Sequence, residues 1–167
     1  PRAAVEPWPD EPGPPVTHER IGEVVDRILA LYQMVATARG ERNAKYIGGE
    51  VVKVPLKKEN GFFPDLKAID PAVAQRAKLF YVNYPNNPTG TAPTAAFFDH
   101  LIAFARQHNI LIVQDAAYAT LVYGRERISI LGRPGGKEVA VELHSMSKSY
   151  NMTGWRLGFV AGAQRAV

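Results

Sequence analysis

The sequence predicts an α/β fold in which a mostly parallel sheet is flanked by helices. Three observations support this prediction. Five short segments are apolar enough to form buried strands, segments between them show helical periodicity, and hydrophobic residues make up 46% of the 167 residues. Nearly continuous apolar strands that alternate with helices are typical of parallel sheets.

Residues 1–45 are predicted to lie outside this domain. The first 15 residues include six prolines, and because proline lacks the backbone donor and fixes φ, they predict an extended, Pro-rich arm. Residues 18–38 place apolar side chains at helical spacing, which predicts an amphipathic helix that packs against a core or a partner. The apolar positions of this segment are Ile21, Val24, Val25, Ile28, Leu31, Tyr32 and Val35.

From residue 50 onward, strand and helix patterns alternate. The run EVVKVPL predicts a strand over 50–56, and residues 64–77 predict short helical turns that are broken at Pro71. The run KLFYVNY predicts a second strand over 78–84, which stops at Pro85 because proline cannot donate to a strand ladder.

The second half of the chain continues this alternation. Residues 94–108 predict a helix with Thr94 as its cap and one apolar face. Further strands are predicted over 109–115, 139–144 and 155–162. The apolar face of the helix contains Phe97, Phe98, Leu101, Ile102 and Ala105.

The basic residues are concentrated in the second part of the chain. Residues 1–50 carry six Lys or Arg and eight Asp or Glu, whereas residues 51–167 carry fourteen and eight. We therefore expect an anionic ligand in the second part. A nucleic-acid surface is not favoured, because the basic residues are scattered and no basic run is interleaved with aromatic residues.

Composition also limits the location and the chemistry. The absence of cysteine excludes disulfides and thiolate metal sites, and the four histidines lack metal-ligand spacing, so no metal is expected. No apolar run approaches the roughly 20 residues of a membrane helix and no secretory signal is visible, which predicts a cytoplasmic protein without a membrane partner. The ends at Pro1 and Val167 suggest a partial chain.

Polar side chains follow three of the predicted strands. Asn87 follows strand 78–84, Asp115 and Tyr118 follow strand 109–115, and a lysine block follows strand 139–144. The lysine block, SMSKSYNMTGWR, contains Ser145, Ser147, Lys148 and Arg156. Because the carboxyl ends of parallel strands meet at one edge of a sheet, we expect these side chains to converge there.

This set of side chains fits one kind of ligand, a phosphorylated pyridine aldehyde. A lysine amine can form an imine with an aldehyde, and a carboxylate can keep a pyridine nitrogen protonated. A phenol and an amide can donate hydrogen bonds to a ring oxygen. Hydroxyls and an arginine fork can bind a phosphate group.

The blocks NNPTG, DAAY and SMSKSYNMTGWR, in this order, resemble the signature blocks of the class I/II, fold-type I aminotransferases. The segments GGEVVKVPL, NYPNNPTG and VELHSMSKSYNMTGWRLGF are most similar to the LL-diaminopimelate aminotransferases within that family. The resemblance covers residues 46–167. It implies a partial pyridoxal-phosphate-binding large domain, with pyridoxal phosphate as the cofactor.

The resemblance also assigns roles to the polar residues. Lys148 matches the lysine that carries the cofactor and moves the proton at the substrate Cα. Asp115 matches the partner of the ring nitrogen, and Asn87 and Tyr118 match the donors to the ring oxygen. The phosphate ligands are matched by Ser145 and Arg156, with Ser147 as a further candidate.

The implied reaction is transfer of an amino group from an amino acid to a 2-oxo acid, by homodimers with the active site at their interface. The implied substrates are LL-diaminopimelate and 2-oxoglutarate, which belong to lysine biosynthesis. An aspartate, alanine or aromatic aminotransferase is the alternative within the family. The family's Gly/Ser-rich phosphate loop, its ring-stacking aromatic residue and its C-terminal small domain are not found here, so a non-catalytic remnant is a further alternative.

One alternative comes from another class of enzyme. The tetrad Ser145-Met-Ser-Lys148 matches S-x-x-K, the nucleophile motif of penicillin-binding enzymes. In that interpretation the serine attacks an acyl group and the lysine lies one helical turn away. It leaves Asp115 and Asn87 unexplained, and no K-T-G motif follows.

Overall fold

One sheet of six strands organises the chain. The computed structural model describes residues 29–33 and 49–166, and only the backbone of the first of these segments. The strands are β1 (Leu29–Gln33), β2 (Glu50–Val54), β3 (Ala77–Asn83), β4 (Leu111–Asp115), β5 (Ala140–Ser145) and β6 (Gly158–Gly162). They are hydrogen-bonded in the order β2-β1-β3-β4-β5-β6.

The sheet is mostly parallel, as predicted. Strands β1 to β5 all run in the same direction, and only β6 is antiparallel to its neighbour β5. Parallel neighbours need crossover connections, and the segments between β3, β4 and β5 supply them. The prediction of an α/β fold with flanking helices is confirmed.

Four α-helices are present among the described residues. They are α1 (Pro71–Arg76), α2 (Ala95–His108), α3 (Gly136–Val139) and α4 (Met146–Ser149). Single 3-10 turns occur at Lys58–Asn60, Leu66–Ala68, Ile130–Gly132, Thr153–Trp155 and Gln164–Ala166. No helix in this part of the chain is long and apolar enough to cross a membrane.

Helix α2 begins and ends where the sequence predicts. The Thr94 hydroxyl accepts a hydrogen bond from Phe97 N at 3.1 Å, which satisfies one of the free amides of the first turn. Asn109 ends the helix in the left-handed conformation at φ 55°. Helix α1 starts at Pro71 after the cap Asp70, so the predicted break at this proline is the start of a helix.

The hydrophobic core lies between α2 and one face of the sheet. The predicted apolar face of α2 is buried throughout and packs against β3 and β4. The main members of the core are Phe80, Val82, Tyr84, Phe97, Phe98, Leu101, Ile102, Ala105, Ile110 and Ile112. Phe97 packs edge-on against Tyr84, with ring centroids 5.0 Å apart. The same core therefore covers both β3 and β4 on this face.

The prediction of a helix over residues 18–38 is wrong at Leu29–Gln33. These residues form β1, which pairs with β2 on one side and β3 on the other. A short apolar run fits a buried strand as well as a helix, and here pairing on both edges selects the strand. The rest of the predicted helix and the Pro-rich arm lie outside the described residues.

The last predicted strand is also shorter than expected. The predicted strand includes residues 155–157, but Trp155 ends a 3-10 turn and Arg156 is left-handed at φ 54°. The strand begins at Gly158, where a Cβ would lie 2.6 Å from His144 O. Only glycine allows β6 to approach β5 so closely at this position.

Candidate active site

The carboxyl ends of three neighbouring strands form one edge of the sheet. Asn83 ends β3 and is paired with Asp115 at the end of β4. Asp115 is paired with Leu143, two residues before Ser145 ends β5. The segments that follow these strands therefore start side by side. These are the segments that carry the predicted site residues.

The loop after β3 is held by asparagine side chains. Asn83 Oδ1 accepts a hydrogen bond from Asn87 N at 2.9 Å, and Asn86 Oδ1 accepts one from the Thr89 hydroxyl at 2.7 Å. Asn86 O accepts from Gly90 N at 2.8 Å, which closes the turn. The backbone of Asn87 is thus fixed, while its side chain is exposed.

Asp115 is held from three directions at the end of β4. Its Oδ1 accepts a hydrogen bond from Ala117 N at 3.2 Å and its Oδ2 accepts one from the Tyr81 hydroxyl at 2.8 Å. Its main-chain oxygen accepts from Asn83 Nδ2 at 3.0 Å. The carboxylate is half-buried, so one side remains accessible to a ligand.

The side chains of Asn87 and Tyr118, which follow two neighbouring strands, contact each other. Asn87 Nδ2, after β3, donates a hydrogen bond to the Tyr118 hydroxyl, after β4, at 3.3 Å. Because the Tyr118 oxygen accepts this bond, its own proton is directed to another acceptor. A cavity of about 240 Å³ lies against both residues and is also lined by Pro85, Asn86 and Leu121.

The lysine block begins with a capped turn of helix. The Ser145 hydroxyl accepts a hydrogen bond from Ser147 N at 3.2 Å and caps α4, which carries Lys148. The Ser149 hydroxyl accepts a hydrogen bond from Thr120, in the segment after β4. This contact joins the lysine block to the Tyr118 segment. The Lys148 side chain is exposed at this edge of the sheet.

Arg156 lies at the end of the same block. Met146 N donates to Leu157 O at 3.1 Å, so the block closes on itself and Arg156 returns to the end of β5. The guanidinium is exposed and donates to Thr153 O at 3.2 Å. Its remaining donors face solvent and can serve an anion.

The donors and acceptors at this edge fit pyridoxal phosphate. A carboxylate accepts about four hydrogen bonds, so Asp115 can still accept one from a protonated ring nitrogen. Tyr118 presents a hydroxyl proton for a ring oxygen, and Arg156 presents a guanidinium for the phosphate. Lys148 supplies an exposed amine for the aldehyde. Each polar group of the cofactor has a chemically matching partner at the edge.

The structure joins some predicted site residues directly and others only through the fold. Hydrogen bonds connect Asn87 with Tyr118 and Ser145 with Ser147. Among the described contacts, no hydrogen bond joins Lys148 to the other predicted site residues. The lysine reaches the edge because α4 directly follows β5.

Two residues at the edge were not predicted from the sequence. Tyr81 and Asn83 contact Asp115, but both lie within the predicted strand 78–84, whereas the sequence argument used the residues at and after the strand ends. The alternation along β3 could have identified them. Tyr81 and Asn83 are two residues apart, so they share the face opposite the buried Phe80 and Val82.

The serine–lysine alternative finds no support in the geometry. In that mechanism the serine gives its proton to the lysine. Here the hydroxyl of Ser145 caps α4 by accepting from Ser147 N, and no hydrogen bond to Lys148 is among the described contacts. The motif is explained by helix capping.

Comparison with known proteins identifies a family that this chain resembles. The family model described as aminotransferase class I and II matches residues 40–167. The chain is 52% identical over 123 residues to LL-diaminopimelate aminotransferase 2 of Trichormus variabilis, covering 73% of this chain and 32% of that protein. It is 45% identical over 146 residues to LL-diaminopimelate aminotransferase of Methanococcus maripaludis, covering 87% and 34%.

A solved structure has the same arrangement of elements. The substrate-bound BacF structure from Bacillus subtilis matches with a TM-score of 0.80 and 37% identity, over 87% of this chain and 38% of that one. The family match begins at residue 40, and a coverage of 87% requires residues before 46. The similarity therefore extends further towards the start than the predicted boundary at residue 46. The chain spans about a third of the length of the curated relatives it matches.

Proposed function

The chain belongs to the class I and II aminotransferases, and we propose that it forms the cofactor-binding part of an enzyme that transfers an amino group between an amino acid and a 2-oxo acid. Pyridoxal phosphate is the cofactor of this family. When bound, it supplies an aldehyde that reacts with amines and a protonated ring that withdraws electrons from the substrate.

Three side chains would hold the ring. Asp115 accepts a hydrogen bond from the ring nitrogen and keeps its proton in place by charge. Tyr118 donates its hydroxyl proton to the ring oxygen, and Asn87 lies 3.3 Å from that hydroxyl and fixes its direction. Because the loop of Asn87 is itself tied to Asn83, the two donors are oriented before a ligand enters.

The lysine block supplies the remaining groups. Ser145, Ser147 and Arg156 bind the phosphate, the serines through their hydroxyls and the arginine through its guanidinium. Lys148 would hold the cofactor through its amine. The same amine would take the proton from the substrate Cα and return it, as general base and general acid.

The observation that carries the proposal is the contact between Asn87 and Tyr118 at the sheet edge where β4 ends with Asp115. The experiment is to incubate the chain with pyridoxal phosphate, reduce it with borohydride and map the labelled peptide. We expect the label on Lys148, and Lys148→Ala serves as the control that loses it. A label on another lysine, with Lys148 unmodified, would contradict the assignment.

We propose LL-diaminopimelate as the amino donor and 2-oxoglutarate as the acceptor. The support is the identity of 52% and 45% to proteins named LL-diaminopimelate aminotransferase. The test presents LL-diaminopimelate, aspartate, alanine and phenylalanine in turn to the loaded protein and follows the absorbance of the bound cofactor. A faster spectral change with one of the other donors would replace the proposed substrate by that donor.

The 167-residue chain by itself is expected to be a weak catalyst. It spans about a third of its curated relatives, and the outer strand β6 exposes Phe159 and Val160, which are 48% and 47% accessible. Exposed apolar edge strands favour association. We expect no transamination above that of free cofactor, and sedimentation that shows self-association; rapid turnover by a monomer would contradict both. We propose that the complete enzyme is a homodimer located in the cytoplasm.

A further inference from the structure

The Tyr81 hydroxyl has no part in the proposed function, yet it contacts the site. It donates a hydrogen bond to Asp115 Oδ2 at 2.8 Å from the neighbouring strand. Tyr81 is paired with Val113, two residues before Asp115, so the phenol extends along the strands to the end of β4. The ring is half-buried on the face of the sheet that carries the site.

This hydrogen bond completes the support of the Asp115 carboxylate. Without it, one oxygen would be held by Ala117 N at 3.2 Å and the other would have no described donor. With one donor on each oxygen, rotation about the Cα–Cβ bond or about the Cβ–Cγ bond breaks a hydrogen bond. The lone pairs that stay free then point in one fixed direction.

A packing role alone does not explain a hydroxyl at this position. Two other aromatic residues are near Tyr81 in the chain: Phe80 lies in β3 and Tyr84 directly follows it. Both are buried in the core on the opposite face. Tyr81 lies on the face with Asn83 and Asp115, where a phenylalanine would fill the same space without a donor. The part of Tyr81 that touches the site is its O–H group.

We propose that Tyr81 is a positioning residue that aims the Asp115 carboxylate at the ring nitrogen of bound pyridoxal phosphate, and so raises the affinity of the site for this cofactor. The proposal rests on the proposed function and adds a residue to it. Tyr81 does not touch the cofactor in this account. Its effect on cofactor binding passes through Asp115, and this gives the proposal a specific test.

The first test compares two ligands, pyridoxal phosphate and its analogue with a C–H group in place of the ring nitrogen. In Tyr81→Phe we expect the Kd of pyridoxal phosphate to rise about fivefold to twentyfold, since a loosened hydrogen bond to a charged group is at stake. The Kd of the analogue should stay within about twofold, because it has no nitrogen for Asp115 to hold. An equal loss for both ligands, or no loss, overturns the proposal.

Tyr84→Phe is the matched control for this comparison. It removes the same hydroxyl from the residue that directly follows β3, but that hydroxyl donates to Phe62 O at 2.7 Å on the core face. We expect Tyr84→Phe to reduce stability without separating the two ligands. A separation by Tyr84→Phe as large as that by Tyr81→Phe would show a general effect of damage to β3, against the proposal.

The second test needs no cofactor and keeps the two proposals distinguishable. The three-bond NMR couplings between the Hα and the two Hβ protons of Asp115 report whether its Cα–Cβ bond occupies one rotamer. We expect one rotamer in the unmodified chain and in Tyr84→Phe, and averaging in Tyr81→Phe. Averaging in the unmodified chain, or a single rotamer in Tyr81→Phe, overturns the positioning role. Failure of the unmodified chain to bind pyridoxal phosphate, with the couplings as expected, overturns the proposed function and the cofactor half of this inference.

Discussion

The two faces of the sheet are built from the same strands but contain different kinds of side chain. Along β3, Phe80 and Val82 point to the face covered by α2 and are fully buried. Tyr81 and Asn83 point to the other face, where they hydrogen-bond to Asp115. One residue of offset therefore separates packing from chemistry. We call the side covered by α2 the core face and the opposite side the site face.

The difference shows how stability and binding can be divided within one strand. On the core face, removing a side chain leaves a cavity that the close-packed interior cannot fill. On the site face, the polar side chains are held by hydrogen bonds at an edge that stays half open. Substitutions on the core face should change the free energy of unfolding, and substitutions on the site face should change ligand binding.

Polar residues on the core face limit this division. Glu142 is 4% accessible, and its carboxylate accepts from Ile130 N and from the Ser129 hydroxyl, both at 2.9 Å. Gln114 donates to Tyr84 O, while its own Oε1 is buried without a hydrogen bond in the described part of the chain. These residues connect segments of the fold, so they belong with packing despite their polarity.

The largest effect is expected from Asp115→Asn on the site face. Losing one partner of a buried ion pair costs on the order of 3–5 kcal/mol, and the charge on Asp115 matters most when the substrate Cα has lost its proton. We expect proton exchange at the substrate Cα to slow by about a hundredfold to ten-thousandfold. The measurement is deuterium exchange at Cα in a longer polypeptide that contains this chain, because the chain by itself is expected to be a weak catalyst.

The stability of Asp115→Asn decides whether the two faces are independent. Urea unfolding without cofactor should show a change of no more than about 1 kcal/mol, because asparagine keeps one side-chain oxygen that can accept a hydrogen bond at the same place. Asp65→Asn makes the same chemical change at an exposed position and should leave proton exchange unaltered. Undiminished exchange in Asp115→Asn would remove the role of the carboxylate as partner of the ring nitrogen.

The matching prediction for the core face is Leu101→Ala. Leu101 is fully buried on α2, and truncation of a buried leucine to alanine costs about 2–5 kcal/mol. We expect this loss in urea unfolding, with an unchanged Kd for pyridoxal phosphate in the fraction that remains folded. Gln107→Ala, at an exposed position of the same helix, should change stability by less than about 0.5 kcal/mol. Loss of affinity in Leu101→Ala would break the division between the faces.

The core face was easier to predict from the sequence than the rest of the fold. The five apolar positions of α2 and its cap at Thr94 follow from helical spacing and capping chemistry, which are local. Strand β1 at Leu29–Gln33 was missed because its identity depends on pairing with β2 and β3. No local pattern separates a strand buried between two neighbours from a short piece of buried helix.

The site face was predicted in its residue types and only partly in its geometry. The order of strand ends brought Asn87 and Tyr118 to one edge, and their contact at 3.3 Å agrees with that prediction. Tyr81 was missed because its contact with Asp115 crosses between strands and depends on register. The left-handed turn at Arg156 was missed because the closure of the lysine block is a tertiary contact.

A smaller effect is expected from Arg156→Ala, which tests whether site residues share one role. Arg156 binds phosphate before and during the reaction alike, and a charge-assisted hydrogen bond contributes roughly 1.5–3 kcal/mol. We expect the Kd of pyridoxal phosphate to rise about tenfold to a hundredfold, while proton exchange at saturating cofactor falls much less. Arg106→Ala, an exposed arginine on α2, should change neither. Equal losses of proton exchange in Arg156→Ala and Asp115→Asn would mean that their roles are wrongly assigned.

The smallest effect concerns an ion pair on the outer side of α2, beyond the core face. The Arg133 guanidinium donates to both Asp99 oxygens, at 2.8 Å and 2.7 Å, and these hydrogen bonds lower the pKa of Asp99 below its ordinary 3.8. Because the folded-state pKa is below the unfolded one, the stabilisation is complete above about pH 4 and is lost as the pH falls through the lowered pKa. Both side chains are substantially exposed, so solvent screens the pair.

We therefore expect the unfolding free energy to fall more steeply between pH 4 and pH 2 in the unmodified chain than in Asp99→Asn. The difference between the two chains should be smaller than the loss of unfolding free energy in Leu101→Ala. Arg133→Gln should flatten the same part of the curve, and the double variant should add nothing, because the two residues act as one pair. If the unfolding free energies of the unmodified chain and of Asp99→Asn changed in parallel with pH, the ion pair would not contribute to stability, and α2 would be held by its apolar contacts alone.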